Sequence, residues 1–247
     1  MQNRAFSSAL QPVKLIAGLA LLLAATFASA APAGTVTHLS GTISAKRADG
    51  STKLLSINSE IQEGDELSTQ RDTYARIKFA DGGEVVMRPE TTLAVTAYAY
   101  NEKKPEADNV VLGLIRGGLR AITGLIGKRN QGAYKMQTST ATIGIRGTHF
   151  GALLCANNCM AFPTVHGGPP DNGLHVDVAN GAIVLTNGAG QMTLQAGQFG
   201  FIKDNFTMPV IKPPQDGIRV VVPPAISKNN STGTQLPGGA TTCGFGG

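Results

Sequence analysis

The sequence predicts an all-β domain: a roll or sandwich of short antiparallel strands with similar first and last hairpins, followed by a Pro/Gly-rich C-terminal tail. Three observations carry this expectation. Glycine is abundant, at 31 of 247 residues, while charged residues make up only 15%. Short apolar stretches are separated by turn residues, with no sustained helical period of charged and apolar positions. Finally, Val36, Gly41, Ile43, Gly50 and Leu54 recur as Val176, Gly181, Ile183, Gly190 and Leu194, each displaced by 140 positions. Such an ungapped recurrence marks two similar hairpins, one near each end of a domain.

Residues 1–30 read as an export address. Arg4 and Lys14 supply positive charge, Leu15 to Ala25 forms an apolar run, and Ala28-Ser29-Ala30 offers the small residues of a cleavage site. An apolar run of this length falls short of the roughly 20 residues that span a bilayer. The later apolar segment, Val110 to Ile126, is broken by Arg116, Arg120 and four glycines. Cleavage is therefore expected after Ala30, giving a periplasmic or extracellular mature chain with no transmembrane segment.

Residues 33–202 are expected to form the β domain. Thr35 to Ala45 places Val36, Leu39 and Ile43 around Gly41, and Asp49-Gly50 is a hairpin signal leading into Lys53 to Ile57. After the turn at Gly64-Asp65, Ala75-Arg76-Ile77-Lys78-Phe79 alternates as a half-buried strand should. Asp81-Gly82-Gly83 turns it back into Val85-Val86-Met87, and Thr91 to Tyr100 continues. Asn101 to Asn109 is a polar loop. Val110 to Gly127 competes between helix and strand. Each interior glycine costs a helix about 0.8–1 kcal/mol, so strand and turn is preferred. Tyr134 to Gln137 and Ala141 to Phe150 follow. From residue 203 onward, prolines and then Asn, Ser, Thr and Gly leave little apolar surface beyond Ile218 to Val222, predicting a flexible tail over residues 203–247.

Three stretches, in order, resemble the FecR family of bacterial envelope proteins. The first is Gly64-Asp65-Glu66-Leu67-Ser68-Thr69, then Ala75 to Gly83, continuing through Glu84-Val85-Val86-Met87-Arg88-Pro89 to Leu93. The second is Gly118-Leu119-Arg120-Ala121-Ile122-Thr123-Gly124. The third runs from Thr138 through Ala141-Thr142-Ile143-Gly144-Ile145-Arg146-Gly147-Thr148-His149-Phe150. The best-known members of that family are inner-membrane transducers that relay ferric-siderophore uptake to a sigma factor. The resemblance, which extends over roughly Thr35 to Phe201, implies a periplasmic β domain that binds another protein or an envelope polymer. It implies no catalytic residues.

The same motifs have a direct physical reading. Asp81 and Gly82 suit the positive-φ positions of a tight hairpin. Gly144 and Gly147 bracket Ile145-Arg146 and let the backbone kink or pass close to a neighbour, with Thr148 completing the motif. Arg146, set among Ile143, Ile145 and Phe150, is expected as a structural clamp, with a ligand-reading arginine as the alternative.

Cys155 and Cys159 are expected to form a local disulfide in an exported chain, leaving Cys243 odd. The rival is a zinc site built from His149, Cys155, Cys159 and His166. A Cys155–His166 pair is the nearest approach to a nucleophilic dyad, and none of the Gly-x-Ser-x-Gly, His-Glu-x-x-His or Walker motifs is present. An enzyme is not expected, nor is a cofactor or a bound metal.

Without residues 1–30 the chain has nineteen basic and sixteen acidic residues, a net charge of +3, which does not point to nucleic acid. From Asn109 to Pro170, however, no acid occurs. Arg116, Arg120, Lys128, Arg129 and Lys135 are candidates for one basic binding face. The expected function is non-catalytic: an envelope binding or scaffold protein engaging another protein or an anionic polysaccharide or lipid surface, with self-association a further route. The alternative is a periplasmic signal-relay component linked to transport or sigma-factor regulation.

Overall fold

Alternation of apolar and polar residues does produce strands, beginning with β1 (Gly34–Ser40) and ending with β15 (Val210–Lys212). The computed structural model describes residues 31–162 and 164–226. The expected signal sequence and Cys243 lie outside the described residues. After β1 come β2 (Ile43–Lys46), β3 (Thr52–Leu55), β4 (Glu60–Ile61), β5 (Glu66–Thr69), β6 (Tyr74–Phe79), β7 (Glu84–Met87) and β8 (Thr92–Ala99). In β6, Ala75, Ile77 and Phe79 enter the core while Lys78 stays in solvent, as period-2 patterning requires. In the β6–β7 turn Gly82 takes the expected positive φ (+80°) but Asp81 does not. Asp81 does more than turn the chain. Its carboxylate accepts the Gly83 N–H (3.0 Å), the Tyr98 hydroxyl (3.2 Å) and the Ile126 N–H (3.2 Å). That ties the hairpin to β8 and to the short helix α1 (Leu125–Arg129).

The remaining strands are β9 (Asn109–Ile122), β10 (Tyr134–Gln137), β11 (Thr142–Cys155), β12 (Gly173–Asn187), β13 (Gly190–Gln195) and β14 (Phe199–Ile202). Val110 to Ile122 is thus strand, as the glycine penalty predicts, with α1 just beyond it. Three strands are much longer than expected: β9 and β11 have 14 residues each and β12 has 15. The reason is local. Glycines at positive φ let a strand change direction without ending. Gly117 (φ +81°) marks where β9 leaves β8 and joins β7 and β11, and Gly147 (φ +61°) marks where β11 passes from β10 to β9. Gly181 (φ +74°) bends β12 beside it, and a Cβ there would lie 2.4 Å from the Gly147 carbonyl oxygen. Among the described residues, fifteen strands form one continuous sheet, antiparallel except for β9 and β10. Alternate residues from its strands, including Leu67, Leu93, Leu112, Ile143 and Ile183, share one main core.

The repeat is visible as structure. Val36, Ile43, Val176 and Ile183 are fully buried, Gly41 and Gly181 both adopt positive φ, and β2–β3 and β12–β13 are hairpins. The fifth pair diverges: Leu194 is buried but Leu54 is 70% exposed. Ile43 pairs with Leu55, whereas Ile183 pairs with Leu194, so the first hairpin has one more residue in its turn. A one-residue slip moves a side chain to the opposite face.

The domain does not stop at Ile202. β15 extends the sheet beside β14, and residues 217–222 return across the sheet with Val220 fully buried. Structure thus continues past the boundary expected at 202: Ile218 and Val220 to Val222, interrupted by Arg219, supply apolar surface that composition alone made look insufficient. Among the described residues no helix is long and apolar enough to cross a membrane.

Candidate functional site

The candidate site lies on the side of the sheet opposite the main core. Strand register aligns Arg76 (β6), Val86 (β7), Arg120 (β9), Gly151 (β11) and Asp177 (β12) on one rung. Gly151 in that row has no side chain, so Arg120 reaches across β11 to Asp177. A Cβ at Gly151 would meet an Asp177 carboxylate oxygen at 2.3 Å and the Val220 Cβ at 2.7 Å. The Arg120–Asp177 pair is buried, its two side chains 8% and 5% exposed.

This ion pair holds the C-terminal segment 217–222, hereafter the strap. Arg120 Nε donates to the Val220 carbonyl (2.9 Å), and the Val220 N–H donates to Asp177 Oδ1 (2.8 Å). Both main-chain groups of one residue are thereby bound by side chains. Arg88 Nη1 donates to the next carbonyl, that of Val221, while its guanidinium sits 4.2 Å from the Phe162 ring centre. Val220 packs with Leu153, Cys155 and Cys159 in an apolar cluster separate from the main core, flanked by Phe162 and Ile218. Burying Val220 and making three charge-assisted hydrogen bonds contributes on the order of 6–12 kcal/mol. Ordering six backbone residues costs about the same, at about 1–2 kcal/mol each. The strap is held, but by a small margin.

Between the strap and the loop following β11 lies a cleft of about 660 Å3, whose lining includes Arg88, Phe162, His175, Lys212, Ile218 and Val221. Cys155 and Cys159 are joined as expected, with Cα atoms 5.5 Å apart. The rival zinc set is not assembled: both sulfurs bond each other, His149 lies beside Arg120, and His166 Nε2 contacts Asp216 Oδ1 at 2.8 Å.

The predicted basic residues are dispersed in role. Arg120 is buried in the ion pair. Arg129 Nε and Nη2 hold Asp108 (2.7 and 2.9 Å), and its guanidinium also donates to the carbonyls of Asn101 and Glu102. That contact holds the Asp108 carboxyl below the usual carboxylate range. Arg116 is exposed, 3.9 Å from Glu90, and Lys128 and Lys135 are exposed. Arg146 is exposed as well, which removes its expected role as a clamp. The clamp is Thr148, two residues on. Its hydroxyl donates to the Ala182 carbonyl (2.7 Å) and accepts the Arg146 N–H, and its N–H bonds the Thr123 hydroxyl. Period-2 alternation with Ile143 and Ile145 buried turns Arg146 outward, and the bulge after it, around Gly147, shifts the alternation so that Thr148 faces inward. Gly144 has ordinary surroundings: a Cβ there would lie 3.8 Å from the Val184 carbonyl oxygen, an unstrained contact.

Asp177, Arg88 and Val220 do not stand out as site residues in sequence. A signal exists for one of them: Asp177 is a lone acid within the apolar strand Leu174 to Val178, opposite an acid-free basic run.

His149 offers a measurable electrostatic consequence. Burial first, and the nearby Arg120 charge second, depress its pKa to about 4. The unfolded chain binds this proton near the ordinary value of 6.5. Between pH 6.5 and about 4 the unfolded state therefore holds more protons, and stability falls as the pH falls. Allowing for partial solvent access, the loss is on the order of 1–2 kcal/mol. Denaturant titrations at stepped pH should show it, with a shallower slope for His149→Gln.

Residues 65–184 match the family model described as FecR protein. The chain carries a FecR domain. The match runs from the start of β5 into β12, so the FecR domain contains Arg120, Gly151 and Asp177, while the strap lies outside it. No curated protein matches the chain. Among solved structures, two crystal structures of a proposed anti-sigma factor from Parabacteroides distasonis are similar at 13% and 14% identity. Both have a TM-score of 0.45 and cover 61% of this chain. The chain spans 60% of the length of that protein. A structure described as a cell surface anchoring domain is 24% identical with a TM-score of 0.25, covering 26% of this chain and 83% of that one.

Proposed function

We propose that this FecR-domain protein is an exported, non-catalytic component of a signal relay that acts by binding another protein. The family match over residues 65–184 carries this reading. The best-known proteins with the resemblance noted in the sequence relay uptake events to a sigma factor. A disulfide between Cys155 and Cys159 suits an oxidising compartment. β15 lies at one edge of the sheet, where Val210 and Ile211 are exposed together with Phe206 and Met208 on the approach to it. An apolar sheet edge favours a protein partner over a polymer. Binding to an anionic polysaccharide or lipid has less support, because Arg120 and Arg129 are already paired with Asp177 and Asp108.

A photo-crosslinking residue in place of Phe206, which is 86% exposed, tests this in intact cells. The expected product is one discrete protein adduct. Its partner's regulated transcription should change when the gene for this chain is deleted. Adducts containing only polysaccharide or lipid, abolished by high salt, would support polymer binding instead.

A further inference from the structure

We propose that the groove over β9, β11 and β12 is a peptide-docking site, which the strap occupies in cis and an extended segment of a partner protein takes over. This deepens the relay reading and rests on it for the partner's identity, but not for the existence of the groove.

The way the strap is held defines what fits. Among the described residues, 217–221 make no backbone–backbone hydrogen bond. The centre of the strap is held by side chains: Arg120 and Asp177 on the carbonyl and N–H of Val220, and Arg88 on the Val221 carbonyl. Main-chain groups are common to every extended peptide, so this recognition is independent of sequence. Selectivity comes from the apolar pocket at Leu153 and Cys155, emptied of side chain at Gly151 and filled by the β-branched Val220. Val221 is 59% exposed and contributes little to the pocket.

The strap also leaves the groove unsaturated. Among the described residues, Arg120 Nη1 and Arg88 Nε are buried without an acceptor, although both arginines hold the strap. Turns opened by Pro213-Pro214 and Pro223-Pro224 bracket the segment, so it can leave as a unit without unravelling the sheet. The occupant is therefore an extended segment with one β-branched apolar anchor, presented by a partner protein.

The test uses the full chain and a labelled peptide of residues 216–223. Val220→Asp places a carboxylate in the apolar pocket beside Asp177 and should evict the strap. This variant is expected to bind the peptide at least tenfold more tightly than the unmodified chain. A peptide carrying the same Val220→Asp change should not bind, and Leu54→Asp in the chain, at an exposed position of β3 outside the groove, should leave affinity near that of the unmodified protein. A folded Val220→Asp chain that fails to bind the peptide overturns the proposal, as does equal binding of both peptides. If Val220→Asp fails to fold, hydrogen exchange on the unmodified chain decides the matter. Exchange of the Val220 amide at least a hundredfold faster than those of Val176 and Val178 supports a displaceable strap, and exchange only by global unfolding overturns it. A dimer that the peptide converts to monomer would assign the groove to a second copy's strap and overturn the claim of a partner. Peptide binding without any protein adduct at Phe206 would remove the relay while leaving the groove.

Discussion

Arg120→Met is expected to lower the unfolding free energy by about 3–5 kcal/mol, because it leaves Asp177 buried without its counter-charge. The same change removes one of the two bonds that hold the main chain of Val220. Asp177→Asn should be similarly costly, since it strands Arg120. The double variant Arg120→Met/Asp177→Asn should recover at least half of the loss, as no buried charge then lacks a partner. Burial pushes the Asp177 carboxyl above its ordinary range in spite of Arg120. Desolvation is thus large enough to outweigh pairing, the condition under which a neutral replacement of both partners is tolerated. Denaturant titration of the three variants gives the coupling energy directly. A double variant whose loss equals the sum of the two single losses would mean that the residues contribute independently.

Asp81→Ala should cost about 3–5 kcal/mol for a different reason. Its carboxylate accepts from Gly83, Tyr98 and Ile126, so truncation leaves two buried amides and a half-buried hydroxyl without that acceptor. The Asp81 carbonyl also accepts the Leu125 N–H, so the turn fixes where α1 begins. There is little room for compensation: a Cβ at the neighbouring Gly124 would lie 2.4 Å from both Asp81 Oδ2 and the Gly83 nitrogen. Asp81→Asn keeps an oxygen acceptor and should cost about 1–2 kcal/mol. Thermal or denaturant unfolding checks the ranking, and the Ile126 amide should exchange faster in the alanine variant. Equal losses for Asn and Ala would place the effect in the turn conformation and not in the carboxylate's bonds.

Much of the fold is legible in the residues. Alternation at Ala75 to Phe79 and the Asp81-Gly82 turn give strand, turn and facing together. The glycines in Val110 to Gly127 correctly disfavour a long helix. Strand length is harder to read, because Gly117, Gly147 and Gly181 look like terminators in sequence while acting as bends in a continuous sheet. Alternation with Ile143 and Ile145 turns Arg146 outward, and the bulge at Gly147 brings Thr148 inward as the clamp.

The residues alone were enough for the all-β class, the Cys155–Cys159 pairing, the repeated hairpins and the resemblance that the family match over residues 65–184 sustains. Each of these depends on local periodicity, short separation or ordered motifs. The site emerges from long-range strand pairing. Arg120 lies 57 residues from Asp177 and 100 from Val220, and their meeting depends on the register of β9, β11 and β12 and on the absence of a side chain at Gly151. In sequence Arg120 is one of six cations in an acid-free stretch, available to any partner. In the fold, strand pairing has already matched it to an internal carboxylate, because a charge taken out of water must find its opposite nearby.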